Sequence, residues 1–351
     1  MVAISGFSGL VLSRRAVRIG AGLAAVAVEI ALVAPHLARG EHALADLNWG
    51  LVAAAVLCEV ASIITYARLR RRLLSAGGFR VPSRRMGALA VASNAISVTV
   101  PAGTAVAAGY LYKQLRRIGA GAALTTWMLA AAAVVSGLAF SVITMAGTFL
   151  DGDDSLAAIL GAGGLSLAVV AGLIAGLMLI TRHPRPVVNG VRALCTRLPW
   201  PRRRAGGCGG EADMERVVEQ LSAINPRARD WGAAFLFATV NWATDLACFV
   251  LCCYAVGVGT LGVGVAVLAY VAGLATSSIS LLPGGIGTVE AGFMVGLAHA
   301  GVAAPLAVAG IFTYRLVAYG LVALVGWTVW GVLRRRVNRP APALQPLRSA
   351  R

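Results

Sequence analysis

Apolar residues run along this chain in blocks of twenty or more, with polar residues confined to the short stretches between them. A helix needs about 20 such residues to cross a hydrocarbon core about 30 Å thick. Continuous blocks fall at residues 17–37, 47–67, 121–150, 156–180, 231–256 and 305–333. Two further blocks are interrupted. Residues 86–112 are broken by Asn94, Pro101 and Gly103, and residues 261–301 by Pro283, Gly284, Gly285, Ile286 and Gly287. The pattern predicts an all-α fold, a polytopic membrane helix bundle of about eight segments with two of them broken or re-entrant. It forms a single transmembrane domain over 1–333, followed by a basic tail over 334–351.

Composition agrees. Of 351 residues 58% are apolar and 13% charged, too few polar groups to coat a soluble globule and too many apolar ones for a disordered chain. The block at 17–37 is too long for a secretory leader, carries Glu29, and is followed by many more spans.

The net charge is +17, and nearly all of the basic residues are Arg, with Lys113 the lone Lys. They sit between apolar blocks, which reads as an orientation signal and contact with anionic lipid heads, not as a nucleic-acid surface. Residues 68–85 hold seven Arg and no acid and read as a cytoplasmic loop. The loop at 181–230 and the tail at 334–351 read the same way, and 211–224 has the composition of a short surface helix. Asp151, Asp153 and Asp154 mark an external turn. Both termini are then cytoplasmic, in a multi-pass protein of the cell membrane. If 86–112 crossed fully, Lys113, Arg116 and Arg117 would lie outside; a hairpin that dips in and returns keeps them inside. Residues 261–282 are long enough either to cross or to form half of such a pair.

The chain also aligns on itself. A shift of 182 residues sets Asn48-Trp49-Gly50 on Asp230-Trp231-Gly232, Pro101-Ala102-Gly103 on Pro283-Gly284-Gly285, and Gly119 on Gly301. The repeat units are then about 47–150 and 230–333. Under the topology above they have opposite orientation, an arrangement common in secondary transporters, whose sites lie between two discontinuous helices.

Ionisable residues inside apolar blocks are expensive and mark function by default. Glu290, just after the second break, and Arg315, next to Tyr314 in the last span, are the leading pair. An Arg fork suits a phosphate, while the plainer alternative is an ion pair holding two helices. Asp245 shares a helix face with Asn241 one turn earlier, lining a cavity or making an interhelical bond. Glu59 lies mid-span in the second block. The amides around Pro283, Gly284, Gly285 and Gly287 could hold an anion at a helix start, and Asn94, Pro101 and Gly103 are their counterparts in the first unit. Ser277, Ser278 and Ser280 read as caps for loose backbone. His36, His42, His183 and His299 are scattered, and Cys248, Cys252 and Cys253 read as packing in one span. No metal, cofactor or disulfide framework is expected, and no catalytic motif stands out.

The stretch from Leu282 to Gly292 (LPGGIGTVEAG), with Gly301-Val302 and Tyr314-Arg315-Leu316, resembles the membrane region of lysylphosphatidylglycerol synthetases and their stand-alone relatives. Asn241-Trp242 with Asp245, and Asn94 with Pro101-Ala102-Gly103, match two further blocks. The resemblance covers nearly the whole chain. It implies flipping of a phospholipid or polyprenyl or glyco-lipid head between leaflets by a carrier that is not an enzyme. Membrane lipids, above all anionic ones, would be its partners, with a protein partner or second copy left open. No aminoacyl-transferase domain follows within these residues, so lipid lysylation is not expected. Residues 104–109 lack the acid and the Arg that often continue the first motif, which leaves room for a changed head group. The rival readings are a membrane scaffold or regulator of envelope-lipid synthesis, and an enzyme acting on polyprenyl lipids.

Overall fold

The computed structural model describes residues 47–151, 171–172, 224, 226–259, 261–277, 283–285 and 287–337. The expected first span, the block at 156–180, most of the loop at 181–230 and the tail, with Glu29, Ser278 and Ser280, lie outside the described residues.

The described residues are helical in two groups of four. The first comprises α1 (Trp49–Ala76), α2 (Ser83–Thr99), α3 (Gly103–Arg117) and α4 (Ala122–Asp151). The second comprises α5 (Ala228–Ala255), α6 (Val263–Ser277), α7 (Thr288–His299) and α8. The α8 rod is Ala304–Arg315, a π-helical stretch Leu316–Leu321, and Val322–Val337. The helices Trp49–Ala76, Ala122–Leu150, Ala228–Ala255 and Ala304–Arg335 are long and apolar enough to cross a membrane. The chain is a polytopic membrane helix bundle. At 15 residues α6 measures about 22 Å, short of a hydrocarbon core.

Two expectations change. Residues 68–85 are not a loop throughout: α1 continues through Arg68 and Arg72 to Ala76, and only 77–82 connect it to α2. Arg and Leu are good helix formers, and nothing before Gly77 ends the helix. Asn94 does not break 86–112 but lies within α2. The break is set by Pro101. A residue before proline is pushed out of the α region, and Val100 is extended (φ −114, ψ 139), with Ala102 left-handed beyond it (φ 52). The chain then reverses so tightly that a Cβ on Gly103 would stand 1.9 Å from the Ser97 carbonyl oxygen.

The groups share one plan, long helix, two short helices, long helix, with bounds displaced by roughly the 182 residues of the sequence offset. In the first, Leu69 and Leu73 of α1, Met86 of α2, Leu115 of α3 and Trp127 of α4 share one apolar cluster. In the second, Val256 beyond α5, Tyr270 of α6, Leu297 of α7 and Ala307 of α8 share another.

Helices α1 and α5 pack antiparallel. The Asn48 N–H donates to the Ala255 carbonyl at 2.9 Å at one end, and Arg72 pairs with Asp230 at 2.7 Å at the other. Each group's second helix lies on the other group's last: α2 along α8, and α6 along α4. Small residues permit both approaches. A Cβ on Gly326 would come within 2.6 Å of the Val91 carbonyl oxygen, and one on Gly147 within 2.3 Å of Val267.

Gly103→Val is expected to lower stability by about 2 kcal/mol, because the Ser97 backbone cannot yield. Gly109→Ala, with open space around the new methyl, is expected to be neutral or to stabilise by up to about 1 kcal/mol. Thermal unfolding of the detergent-purified protein separates the two.

Candidate functional site

The second break is closed by side chains. The 3₁₀ turn Pro283–Gly285 leads through Gly287 into α7, with Gly284, Gly285 and Gly287 at positive φ (61, 68 and 84). Only glycine adopts such a run of left-handed backbone without strain, and it leaves polar groups that no helix satisfies. Two of them meet one ion pair. Glu290 Oε2 accepts from the Gly287 N–H at 2.7 Å, capping α7. Glu290 Oε1 accepts from Arg315 Nε at 2.7 Å and from Arg315 Nη2. Arg315 Nη1 donates to the Gly284 carbonyl at 2.7 Å. Charge-assisted, forked contacts of this kind are the strongest available to a side chain.

Arg315 is 4% exposed and the Glu290 side chain 22%. The guanidinium stacks on the Tyr319 ring, 4.3 Å from its centroid. Tyr319 belongs to the π-helical stretch of α8, a widened turn of the kind that often marks functional sites. Glu290 and Arg315 thus meet as an ion pair between α7 and α8, and the arginine also holds the backbone of the turn.

The first break reaches the same place. A Cβ on Gly284 would stand 2.8 Å from the Val98 carbonyl oxygen and 3.8 Å from Arg315 Nη1. Trp327 of α8 donates to the Thr99 hydroxyl at 3.2 Å. The two interrupted segments thus meet through the last turn of α2, at the glycine whose carbonyl Arg315 holds.

A second polar cluster adjoins the first across α8. Asp245 Oδ2 accepts from the Tyr270 hydroxyl at 2.5 Å, and Oδ1 from the Tyr314 hydroxyl at 3.1 Å. Tyr314 precedes Arg315, so one turn of α8 serves both clusters. Glu59 of α1, 7% exposed, is a further buried carboxyl group. The tyrosines are held by rings: Phe249 stacks on Phe293 at 4.8 Å and meets Tyr314 edge-on at 5.5 Å.

The remaining candidates scatter. Asn241 Nδ2 donates to the Ser62 hydroxyl at 2.7 Å and carbonyl at 3.1 Å, the interhelical bond and not a cavity lining. Asn94 is half-buried on α2, and its side chain makes no hydrogen bond among the described residues. Pro101 is exposed at the first break, and Gly103 is buried beside it. Tyr270 and Tyr319 were not singled out from sequence, because a lone tyrosine in an apolar block carries no periodic or motif signal. Among the described residues no three His, Cys, Asp or Glu gather to hold a metal.

Arg315→Ala is expected to cost about 3 kcal/mol, since it strands the Gly284 carbonyl and the Glu290 carboxylate. The double variant Glu290→Gln/Arg315→Ala should lose less than the sum of the single variants. Unfolding free energies of the four proteins measure the coupling.

Residues 10–326 match the family described as "Lysylphosphatidylglycerol synthase TM region". No curated protein matches the chain.

Proposed function

Since the chain belongs to the lysylphosphatidylglycerol synthase TM region family, we propose that it carries the polar head of a membrane lipid between leaflets, the acyl tails staying in the bilayer. It acts as a transporter in the cell membrane, not as an enzyme, with both termini in the cytoplasm. One observation supports this above the others: two interrupted segments converge on a glycine turn gripped by a buried arginine. Broken backbone at membrane depth is tolerated only against protein or a wet cavity. Where two such breaks meet, transporters place their sites. On this reading α2–α3 and α6–α7 are re-entrant hairpins dipping in from opposite faces, and the two groups form an inverted-topology repeat.

Each part then has a task. In the occupied state Arg315 would exchange the Gly284 carbonyl for a phosphate oxygen of the lipid, a ligand its planar fork suits. Glu290 would keep the guanidinium aimed and would meet any cationic portion of the head. Glu59 and Asp245 would carry a proton, and the adjacent Tyr314 and Arg315 would couple its arrival to the arginine's partner. Motion of one group against the other, sliding at the glycine contacts of α2 with α8 and α4 with α6, would expose the site in turn.

The saturation of Glu290 and Arg315 by each other also fits the rival reading, a scaffold or regulator of envelope-lipid synthesis in which the pair only clamps α7 to α8. Leaflet exposure of native anionic and glyco-lipids separates the two. Glu290→Gln and Asp245→Asn, at unchanged protein level, are expected to slow transfer of one lipid class at least about tenfold, and Gly109→Ala to leave it unchanged. A tenfold loss corresponds to about 1.4 kcal/mol of barrier. Unchanged distribution of every major lipid in a strain lacking the protein would reject transport.

A further inference from the structure

Away from the breaks, the end of the bundle where α1 finishes and α5 begins holds a cavity of ≈ 520 Å³, lined by Arg71, Arg72, Ser75, Arg80, Arg227 and Arg229, among others. The arginines come from three places: the last turns of α1, the connection to α2, and the entry to α5. Five cations around one opening repel one another unless an anion is shared among them.

Among the described residues that line the cavity one is acidic, Asp230, and it is already used. Asp230 Oδ1 pairs with Arg72 at 2.7 Å, and Oδ2 accepts from the Arg227 N–H at 2.9 Å. Arg71 is held by its Nε, which donates to the Val81 carbonyl at 3.0 Å, and its terminal nitrogens are left to the cavity. Arg72 Nε is buried without a partner. Arg80, Arg227 and Arg229 are exposed, and their guanidinium groups make no bond among the described residues. Among the described residues four of the five arginines therefore have no acidic partner. A second cavity of ≈ 280 Å³ shares Arg71, Arg72 and Ser75 with the first and is also lined by Arg68 and by Phe237 of α5. Together they form a slot lined mainly by arginines, with one aromatic side chain in its second part.

We propose that this slot binds a phosphate-bearing anion. The guanidinium forks of Arg80, Arg227 and Arg229 take the phosphate oxygens, and Arg71 and Arg72, fixed by Val81 and Asp230, form the floor. Planar forks match phosphate geometry in pairs, and the larger cavity has room for a phosphate with its ester substituent. The Phe237 side chain favours a phosphodiester of a membrane lipid over free phosphate. The site is distinct from Glu290 and Arg315 and stands whether or not the protein moves lipids.

Thermal unfolding of the full chain in neutral detergent, at fixed ionic strength, tests this with three ligands: dihexanoyl phosphatidylglycerol, dihexanoyl phosphatidylcholine and inorganic phosphate. The first is expected to raise the midpoint saturably and more than the second. In Arg80→Gln/Arg229→Gln its half-saturating concentration should rise at least about tenfold, the loss of one or more charge-assisted hydrogen bonds. The unliganded midpoint should not fall, because neither side chain is bonded among the described residues and loss of two like charges relieves repulsion. Arg117→Gln, an exposed arginine outside the cavity, should bind like the parent. A saturable response to inorganic phosphate equal to that of the lipid, and lost in the double variant, would also support the site but make free phosphate its ligand. Equal responses to the anionic and zwitterionic lipids, a double variant that binds like the parent, or an equal loss in Arg117→Gln would overturn the proposal.

Discussion

Buried backbone that leaves a helix must find its hydrogen bonds elsewhere in the protein, and the second break of this chain meets that demand at two groups with one ion pair. The turn at Gly284 and Gly287 offers a carbonyl and an N–H outside any helix ladder. Arg315 takes the first and Glu290 the second, and each completes the other. This explains why two opposite charges stand in an apolar stretch at all. It also ties three elements together, since α7, the turn and α8 cannot separate without exposing a charge.

The Asp245 cluster depends on that clamp. Its donors, Tyr270 and Tyr314, come from α6 and α8, which the α7 clamp and the ring stack around Phe249 and Phe293 keep in register. Arg315 and Tyr314 are chain neighbours, so one turn of α8 holds both the ion pair and a hydrogen bond to a carboxyl group on α5. The two polar clusters are coupled by covalent adjacency on one helix turn, and the π-helical stretch that follows gives that turn a geometry a regular helix lacks.

The antiparallel pair α1 and α5 is the frame on which both halves hang. It is bonded at each end and in the middle, by Asn48, Arg72 and Asn241. The second helix of each half then rests on the long last helix of the other, at glycine contacts with little side chain to interlock. Such contacts give close approach without deep interdigitation, which suits elements that slide past each other.

Much of this was legible in the chain. The spans, the two breaks and the 182-residue offset follow from block length, proline and glycine placement, because the bilayer imposes length and composition on any helix that crosses it. Family resemblance followed from the residues around Gly284, Glu290 and Arg315. What the linear pattern could not decide was partnership. Asn241 meets Ser62 across 179 residues, Tyr314 reaches Asp245 across 69, and Arg315 turns to a backbone carbonyl 31 residues earlier. Asn94 looked like a breaker but lies inside a helix, because its side chain does not remove the backbone donor as proline does. The arginines of α1 looked like a loop but continue the helix and meet α5. Composition determines which segments enter the membrane; only three-dimensional packing decides which polar groups find each other there, since that choice depends on crossing geometry and not on spacing along the chain.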